Sequence, residues 1–244
     1  MAGPGKKVRV PEGQRLYAVG DIHGHLELLE RLHAMILADA QSAGGADNYV
    51  VYLGDYVDRG PDSRGVIEAL CERPLPGFET VHLKGNHEDF MLRFLDGSEA
   101  GPNWFQNGGD TTLASYDVAR PMEWSGADAY DETRAALAAA LSAGHRTFLD
   151  ELSLSYEAGD FFFAHAGVRP EVPLAEQRPQ DLMWIRGAFL DATQDFGKVV
   201  VHGHTPESKV QVRANRIGID TGAFYTGCLT CLVLEGNKRR FLQT

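Results

Sequence analysis

From Arg15 onward one pattern recurs three times: a short apolar run, an abrupt Gly-Asp or Gly-Asn, then a stretch with helical periodicity. RLYAV runs into GDIHGH and a helix predicted over about residues 26–40, with Leu28, Leu29, Leu32, Ile36 and Leu37 on one face. Gly44 and Gly45 stop it. YVVYL runs into GDYVDRGPDS, where Pro61 and Ser63 suit a helix start and Val66, Ile67 and Leu70 its buried side. ETVHL runs into KGNHED and a helix through Phe90, Met91 and Phe94. Alternation of this kind is βα organisation, and it puts each polar loop at the carboxyl end of a strand, where open α/β sheets build their sites.

Between about residues 96 and 145 the alternation breaks off. The segment is rich in Gly, Asp and Ala, carries Trp104, Trp124 and NGGDTTL at 107–113, and shows helical periodicity at about 134–142. It reads as a cap inserted over a site. Trp104 and Trp124 would either shape the approach of substrate or pack the cap. Strand signals then return without regular helices: LSLSYEAGDFFFAHAG as a hairpin turning at Ala158, Gly159 and Asp160, then KVVVHGHT, VQVRANRIGIDTGA and CLTCLVLEGNKRRFLQT. Hairpins and meanders predict antiparallel strands. The expected fold class is α/β, with two packed mixed sheets flanked by helices as an αββα sandwich. The 244 residues, 43% hydrophobic, suffice for one domain spanning 1–244 with that insertion.

The chemistry lies in the loops. Asp21 and His23 in GDIHGH are two residues apart and, on a continuing strand, project to the same side. Alone a D-x-H is weak, because Asp-Gly and Asn-Gly neighbours are ordinary turn chemistry. Asp55 in GDYVDRG, Asn86 and His87 in GNHE, His165 in FFFAHAG and His204 in VVVHGHT then follow, so five strand ends offer metal-ligand residue types. Two divalent ions held about 4 Å apart generate hydroxide at neutral pH and stabilise the oxygens of a phosphoryl group. Such a pair needs mixed oxygen and nitrogen donors and a bridging carboxylate, since only an anion can sit between two cations.

In this order and at these spacings, GDIHG, GDYVDRG, GNHE, HAG and GHT resemble the phosphoprotein phosphatase family of metallophosphoesterases, bacterial serine/threonine type, from about residue 15 to 221. The resemblance implies the calcineurin-like fold and two divalent ions, manganese by expectation, although iron or zinc suits the same donors. It implies that Asp21 and His23 hold the first ion, that Asp55 bridges, and that Asn86, His165 and His204 hold the second. His87 would be the general acid that protonates the departing alkoxide, with Asp58 favouring its protonated form. Arg59 and Arg186, the latter in LMWIR, would grip the phosphate oxygens together with Asn86, a planar fork of donors matching a tetrahedral anion. Hydroxide held by the two metals would attack phosphorus directly, without a covalent phosphoenzyme; Cys71, Cys228 and Cys231 lie outside the loops.

Two substrate classes fit: phosphoserine and phosphothreonine in proteins, with phosphotyrosine as an extension, or dinucleoside polyphosphates such as diadenosine tetraphosphate. Bacterial symmetrical dinucleoside tetraphosphatases typically carry another residue where Asp58 stands, so Asp58 favours esters with basic leaving groups. A noncatalytic phosphate-recognising protein on the same fold would have lost a ligand or His87, and all are present. A formal charge of −11 argues against broad contact with nucleic acid or anionic membranes. No run approaches a membrane span, and the three cysteines are too few for a disulfide framework, so a soluble, cytoplasmic protein is expected. Cys228 and Cys231 form a CxxC inside GCLTCLVL and read as core residues. His33, His82 and His145 read as structural, while His25 and His202 flank the ligands without an assigned role.

Overall fold

The computed structural model describes residues 8–97, 100–122 and 126–244; Trp124 and the N-terminal lysines lie outside them. β1 (Gln14–Val19), α1 (Leu26–Ala43), β2 (Asp47–Tyr52), α2 (Ser63–Glu72), β3 (Phe78–His82) and α3 (Asn86–Leu95) are the three βα units. A helical run follows: α4 (Gly101–Trp104), a π turn (Phe105–Gly109), α5 (Asp110–Ser115), α6 (Ala127–Ala140) and α7 (Ala143–Asp150). β4 (Ser155–Ala158) and β5 (Phe161–Ala164) form the expected hairpin, and α8 (Pro179–Trp184) and α9 (Gly187–Leu190) come next. The chain ends with β6 (Val199–His202), β7 (Gln211–Val212), β8 (Arg216–Gly218), α10 (Ala223–Thr226), β9 (Thr230–Glu235) and β10 (Lys238–Gln243).

Two five-stranded sheets result, ordered β10-β9-β1-β2-β3 and β4-β5-β6-β8-β7. Strand alternation assigns each side chain to a layer. Leu16, Ala18, Val51, Phe161, Phe163, Val199, Val201, Leu232 and Leu234 pack between the sheets. Their neighbours Tyr17, Val19, Val50, Cys231 and Val233 turn outward to meet Leu29, Leu32 and Ile36 of α1 and Val66, Ile67 and Leu70 of α2. Phe162, Ala164 and Val200 turn outward on the second sheet and are covered by Leu182, Ile185 and Phe189. The order of layers is helix, sheet, sheet, helix, as the sequence predicts.

Three local expectations change. The second sheet is not an antiparallel meander: β5, β6 and β8 run parallel, and the antiparallel pairs are β4 with β5 and β7 with β8. The long segment between β5 and β6, with α8 and α9, provides the crossover that parallel pairing requires. The helix expected at 134–142 begins earlier, as α6, and a new helix starts after Ser142, whose hydroxyl accepts the His145 N–H at 3.1 Å. Cys231 is buried in β9, whereas Cys228 is half-buried ahead of the strand.

His33, His82 and His145 each contact a tyrosine. His33 Nε2 meets the Tyr52 hydroxyl at 2.8 Å, His82 stacks on the Tyr52 ring, and His145 Nδ1 meets the Tyr116 hydroxyl at 2.9 Å. Among the described residues no helix is long and apolar enough to cross a membrane. Leu29 is fully buried between α1 and the first sheet, so Leu29→Ala should lower the unfolding free energy by about 3 kcal/mol, read from the urea midpoint at unchanged slope.

Candidate metal centre and active site

Backbone hydrogen bonds stitch the strand-end loops together. Ile22 and His23 donate their N–H groups to the Asp55 carbonyl at 3.0 and 2.9 Å, Gly24 donates to Tyr56, and Gly203 donates to the His165 carbonyl at 2.8 Å. Seven described non-glycine residues have positive φ, and five of them are His23, Asp55, Asp58, Arg59 and His204. Left-handed backbone is unfavourable for such residues and persists where surrounding structure imposes it. Here it turns side chains from separate strands into one volume.

Asp55 occupies the centre of that volume. Its Oδ2 lies 3.6 Å from His23 Nε2 and 3.8 Å from His87 Nε2, and its Oδ1 lies 3.3 Å from His165 Nε2. Two ligand groups share it: His23, Asp55 and His87 on one side, and Asp55, His165 and His204 on the other. His165 Nε2 also faces Asn86 Oδ1 at 3.0 Å and His204 Nδ1 at 3.2 Å. His165 Nδ1 is taken up by the Leu53 carbonyl at 2.9 Å, so Nε2 is the nitrogen turned toward Asp55 Oδ1, Asn86 Oδ1 and His204 Nδ1. A cation resolves that convergence. His23 is held in the same way, donating Nδ1–H to the Val57 carbonyl at 2.9 Å with Nε2 turned inward. Asp21 accepts the His204 N–H at 2.9 Å.

His87 and Asp58 form a buried pair, Nδ1 to Oδ2, at 2.6 Å. The Arg59 guanidinium spans the first ligand group, donating to His23 Nε2 at 2.7 Å and His87 Nε2 at 3.0 Å while lying over the Phe224 ring. Asp21, His23, Asp55, Asp58, Arg59, Asn86, His87, His165 and His204 therefore lie together in one volume. Arg186 is exposed, at the N-cap of α9, and reaches His204 electrostatically.

The model of the calcineurin-like phosphoesterase family matches residues 14–226. The chain is a member of that family. It is a metallophosphoesterase with hydrolase chemistry, in a family that works through a dinuclear metal centre. It is 27% identical to serine/threonine-protein phosphatase 2 of Escherichia coli K12, covering 92% of this chain and 95% of that one. It is 26% identical to the asymmetrical bis(5'-nucleosyl)-tetraphosphatase PrpE of Anoxybacillus flavithermus, over 88% of each chain. A solved cold-active protein tyrosine phosphatase, 17% identical, shares the fold with a TM-score of 0.59 over 96% of this chain and 81% of that one.

The electrostatics of this metallophosphoesterase fit a cation pair. Burial, then Asp220 and Asp55, push the Asp21 carboxyl well above its ordinary range. Burial opposes ionisation of Asp55 too, but the His165 and His87 imidazoles outweigh it and hold Asp55 well below the usual carboxylate range. Burial depresses His23 strongly and His204 to about 2, which leaves those rings neutral and able to donate a lone pair. A central ionised carboxylate, neutral imidazoles and crowded acids are the donor set that two divalent ions would relieve. Burial also works against a protonated His87, yet Asp55 and Asp58 raise it above its ordinary value.

Several residues of the site escape the sequence reading. Glu88 is buried and accepts four backbone N–H groups, from Gly85, Asp55, Tyr56 and Val57, at 2.7 to 3.2 Å. It thus sets the shape of the Asp55 loop, and its position as the third residue of α3 is a capping signal that could have revealed it. Asp220 sits after β8 beside Asp21, and burial raises it to about 6. Trp104 and Thr112 do more than pack. Trp104 Nε1 donates to both Asp58 oxygens, at 3.1 and 2.9 Å, and Thr112 Oγ1 donates to Asp58 Oδ1 at 2.6 Å. No local pattern signals that contact across 46 and 54 residues.

Trp104→Phe and Thr112→Val each remove a donor from a fully buried carboxylate, and each should destabilise the protein by about 1–3 kcal/mol in a denaturant titration. Glycines at 85 and 203 let carboxylates approach: a Cβ at Gly85 would collide with Asp55 Oδ1, and one at Gly203 with Asp21 Oδ1. Gly203→Ala should keep the far-ultraviolet circular dichroism of the wild type while binding fewer divalent ions per chain by elemental analysis.

Proposed function

We propose that this metallophosphoesterase is a phosphoprotein phosphatase that hydrolyses phosphomonoesters, phosphoserine and phosphothreonine foremost and phosphotyrosine within its reach. The observation that carries this reading is the buried 2.6 Å His87–Asp58 pair whose carboxylate is saturated by Trp104 and Thr112. Serine and threonine alkoxides are strong bases and poor leaving groups, so their departure needs a proton delivered in the transition state. Asp58, held by the indole and the hydroxyl, accepts the Nδ1–H of His87 and favours its doubly protonated ring, whose Nε2–H would serve the leaving oxygen once Arg59 turns from Nε2 to the phosphate.

In this reading Asp21 and His23 hold one ion, Asn86, His165 and His204 hold the other, and Asp55 is shared. Manganese is the ion we expect, with iron and zinc suited to the same donors. A bound pair supplies a nucleophile at neutral pH and positive charge for the phosphoryl oxygens. Arg59 and Arg186, with Asn86, orient the phosphate; Arg59, now hydrogen-bonded to the two imidazoles, turns its donors to the phosphate when substrate arrives. Residues 101–118, whose Trp104 and Thr112 reach Asp58, form part of a cap on the same side. Water adds directly to phosphorus, with no phosphoenzyme.

A second reading, hydrolysis of dinucleoside tetraphosphates, draws support from the similarity to PrpE. Its leaving group is a nucleotide, already a weak base that needs little protonation, which makes an elaborately held general acid superfluous. Purified protein with manganese, offered a phosphopeptide, diadenosine tetraphosphate and an aryl phosphate, separates the two: the phosphopeptide should give the highest kcat/KM, and a preference for the dinucleotide would transfer the assignment. Chelation should abolish activity and added manganese restore it. His87→Ala should lower kcat on a phosphoserine peptide by a hundredfold or more, on the order of a full general-acid contribution, and cost far less with nitrophenyl phosphate. An equal loss on both substrates removes His87 from that role.

A further inference from the structure

Away from the strand ends, a second group of ligand-type side chains gathers where α2 ends against α7. Cys71 and Glu72 are the last residues of α2, and His145 is the third residue of α7. Ligand atoms of the thiol, the carboxylate and the imidazole lie within 4.8 Å of one another. His145 is buried, Cys71 half-buried and Glu72 exposed, so the group is anchored in protein on one side and open to solvent on the other. Tyr116, just after α5, meets His145 Nδ1 at 2.9 Å; with the phenol oxygen as acceptor, the Nε2 lone pair would be free for a metal, as at imidazoles braced by an outer hydrogen bond.

The surroundings favour a cation. Glu68, one turn before Glu72, acts on both Cys71 and His145. The carboxyl end of α2 adds the negative end of the helix dipole, its last turn holds no basic residue, and the Cys71 thiol donates there to the Glu68 carbonyl at 4.0 Å. Of the nearby arginines, Arg73 is turned to Glu30 at 3.3 Å, and Arg64 lies over the Tyr116 ring and reaches Asp117.

We propose that Cys71, Glu72 and His145 form a third metal site, separate from the strand-end centre, that binds one zinc-like divalent ion, with Glu68 or water as the fourth donor. A thiolate among the donors selects a softer ion than the oxygen-rich strand-end centre does. Binding exchanges the Cys71 S–H bond for a sulfur–metal bond and releases the proton to solvent, with no change of oxidation state. The ion would tie α2 to α7 and, through Tyr116, to the end of α5, clamping the helices that carry Thr112 against the core.

The test uses Co2+ as probe, since the strand-end centre contains no thiol. Full-length protein with three equivalents of Co2+ should show a near-ultraviolet thiolate-to-cobalt charge-transfer band. That band should vanish in Cys71→Ser and persist in Cys228→Ser and in Asp55→Asn, where the catalytic centre is impaired. Bound zinc should fall by one ion per chain in Cys71→Ser, while turnover of nitrophenyl phosphate stays within twofold of wild type. No band in the wild type, or a band that survives Cys71→Ser, overturns the site. Cys71 is half-buried at a helix end, so its serine variant keeps the test valid even where His145→Ala does not fold.

Discussion

Asp55 is an ionised carboxylate removed from water, and burying a charge is among the most expensive things a fold can do unless partners surround it. Its partners come from everywhere in the chain. His23 arrives from the end of β1, His165 from the end of β5, and the N-terminus of α3 brings the His87 N–H to Asp55 Oδ1 at 3.2 Å. That helix end also favours the negative charge through its dipole. Glu88, one turn into α3, grips the backbone on either side of Asp55, so one helix supplies both the partner of the carboxylate and the brace of its loop.

The sheets exist, in this sense, to bring strand ends together. β1, β2 and β3 are parallel in one sheet, β5, β6 and β8 are parallel in the other, and their carboxyl ends converge on the same volume. Regular strand geometry alone would scatter alternate side chains to opposite faces. Left-handed φ at His23, Asp55 and His204 redirects them, and its cost is borne by the inter-loop hydrogen bonds and by the dense packing beneath. The crowd of like charges at Asp21, Asp55 and Asp220 has the same logic: it is unfavourable alone and becomes favourable when divalent ions occupy the volume.

The helices between α3 and β4 are joined to this chemistry and not merely laid over it. Trp104, in a four-residue helix, and Thr112, in the next helix, both reach Asp58. The Gly108 carbonyl between them accepts the Arg59 N–H at 3.2 Å. The segment that varies most from a plain βα repeat is thus in direct contact with Asp58 and Arg59.

Much was legible in the residues because the determinants are local. The three βα units follow from apolar periodicity and glycine stops, and the ligand types follow from what stands at each strand end, where few other positions can point into a shared volume. The αββα layering follows from strands apolar on both faces, such as FFFA and VVVH, which must be covered twice. What tertiary structure alone decided was non-local. Whether β5, β6 and β8 run parallel depends on the path of a long crossover, and turn residues cannot report that path. The bonds from Trp104 and Thr112 to Asp58 join residues far apart in sequence, and the meeting of Cys71 with His145 depends on how two helices pack. Five polar loops, read in one dimension, identify a metal-binding phosphoesterase; which carboxylate is held ionised, and by whom, is settled when burial brings distant charges within a few ångströms of each other.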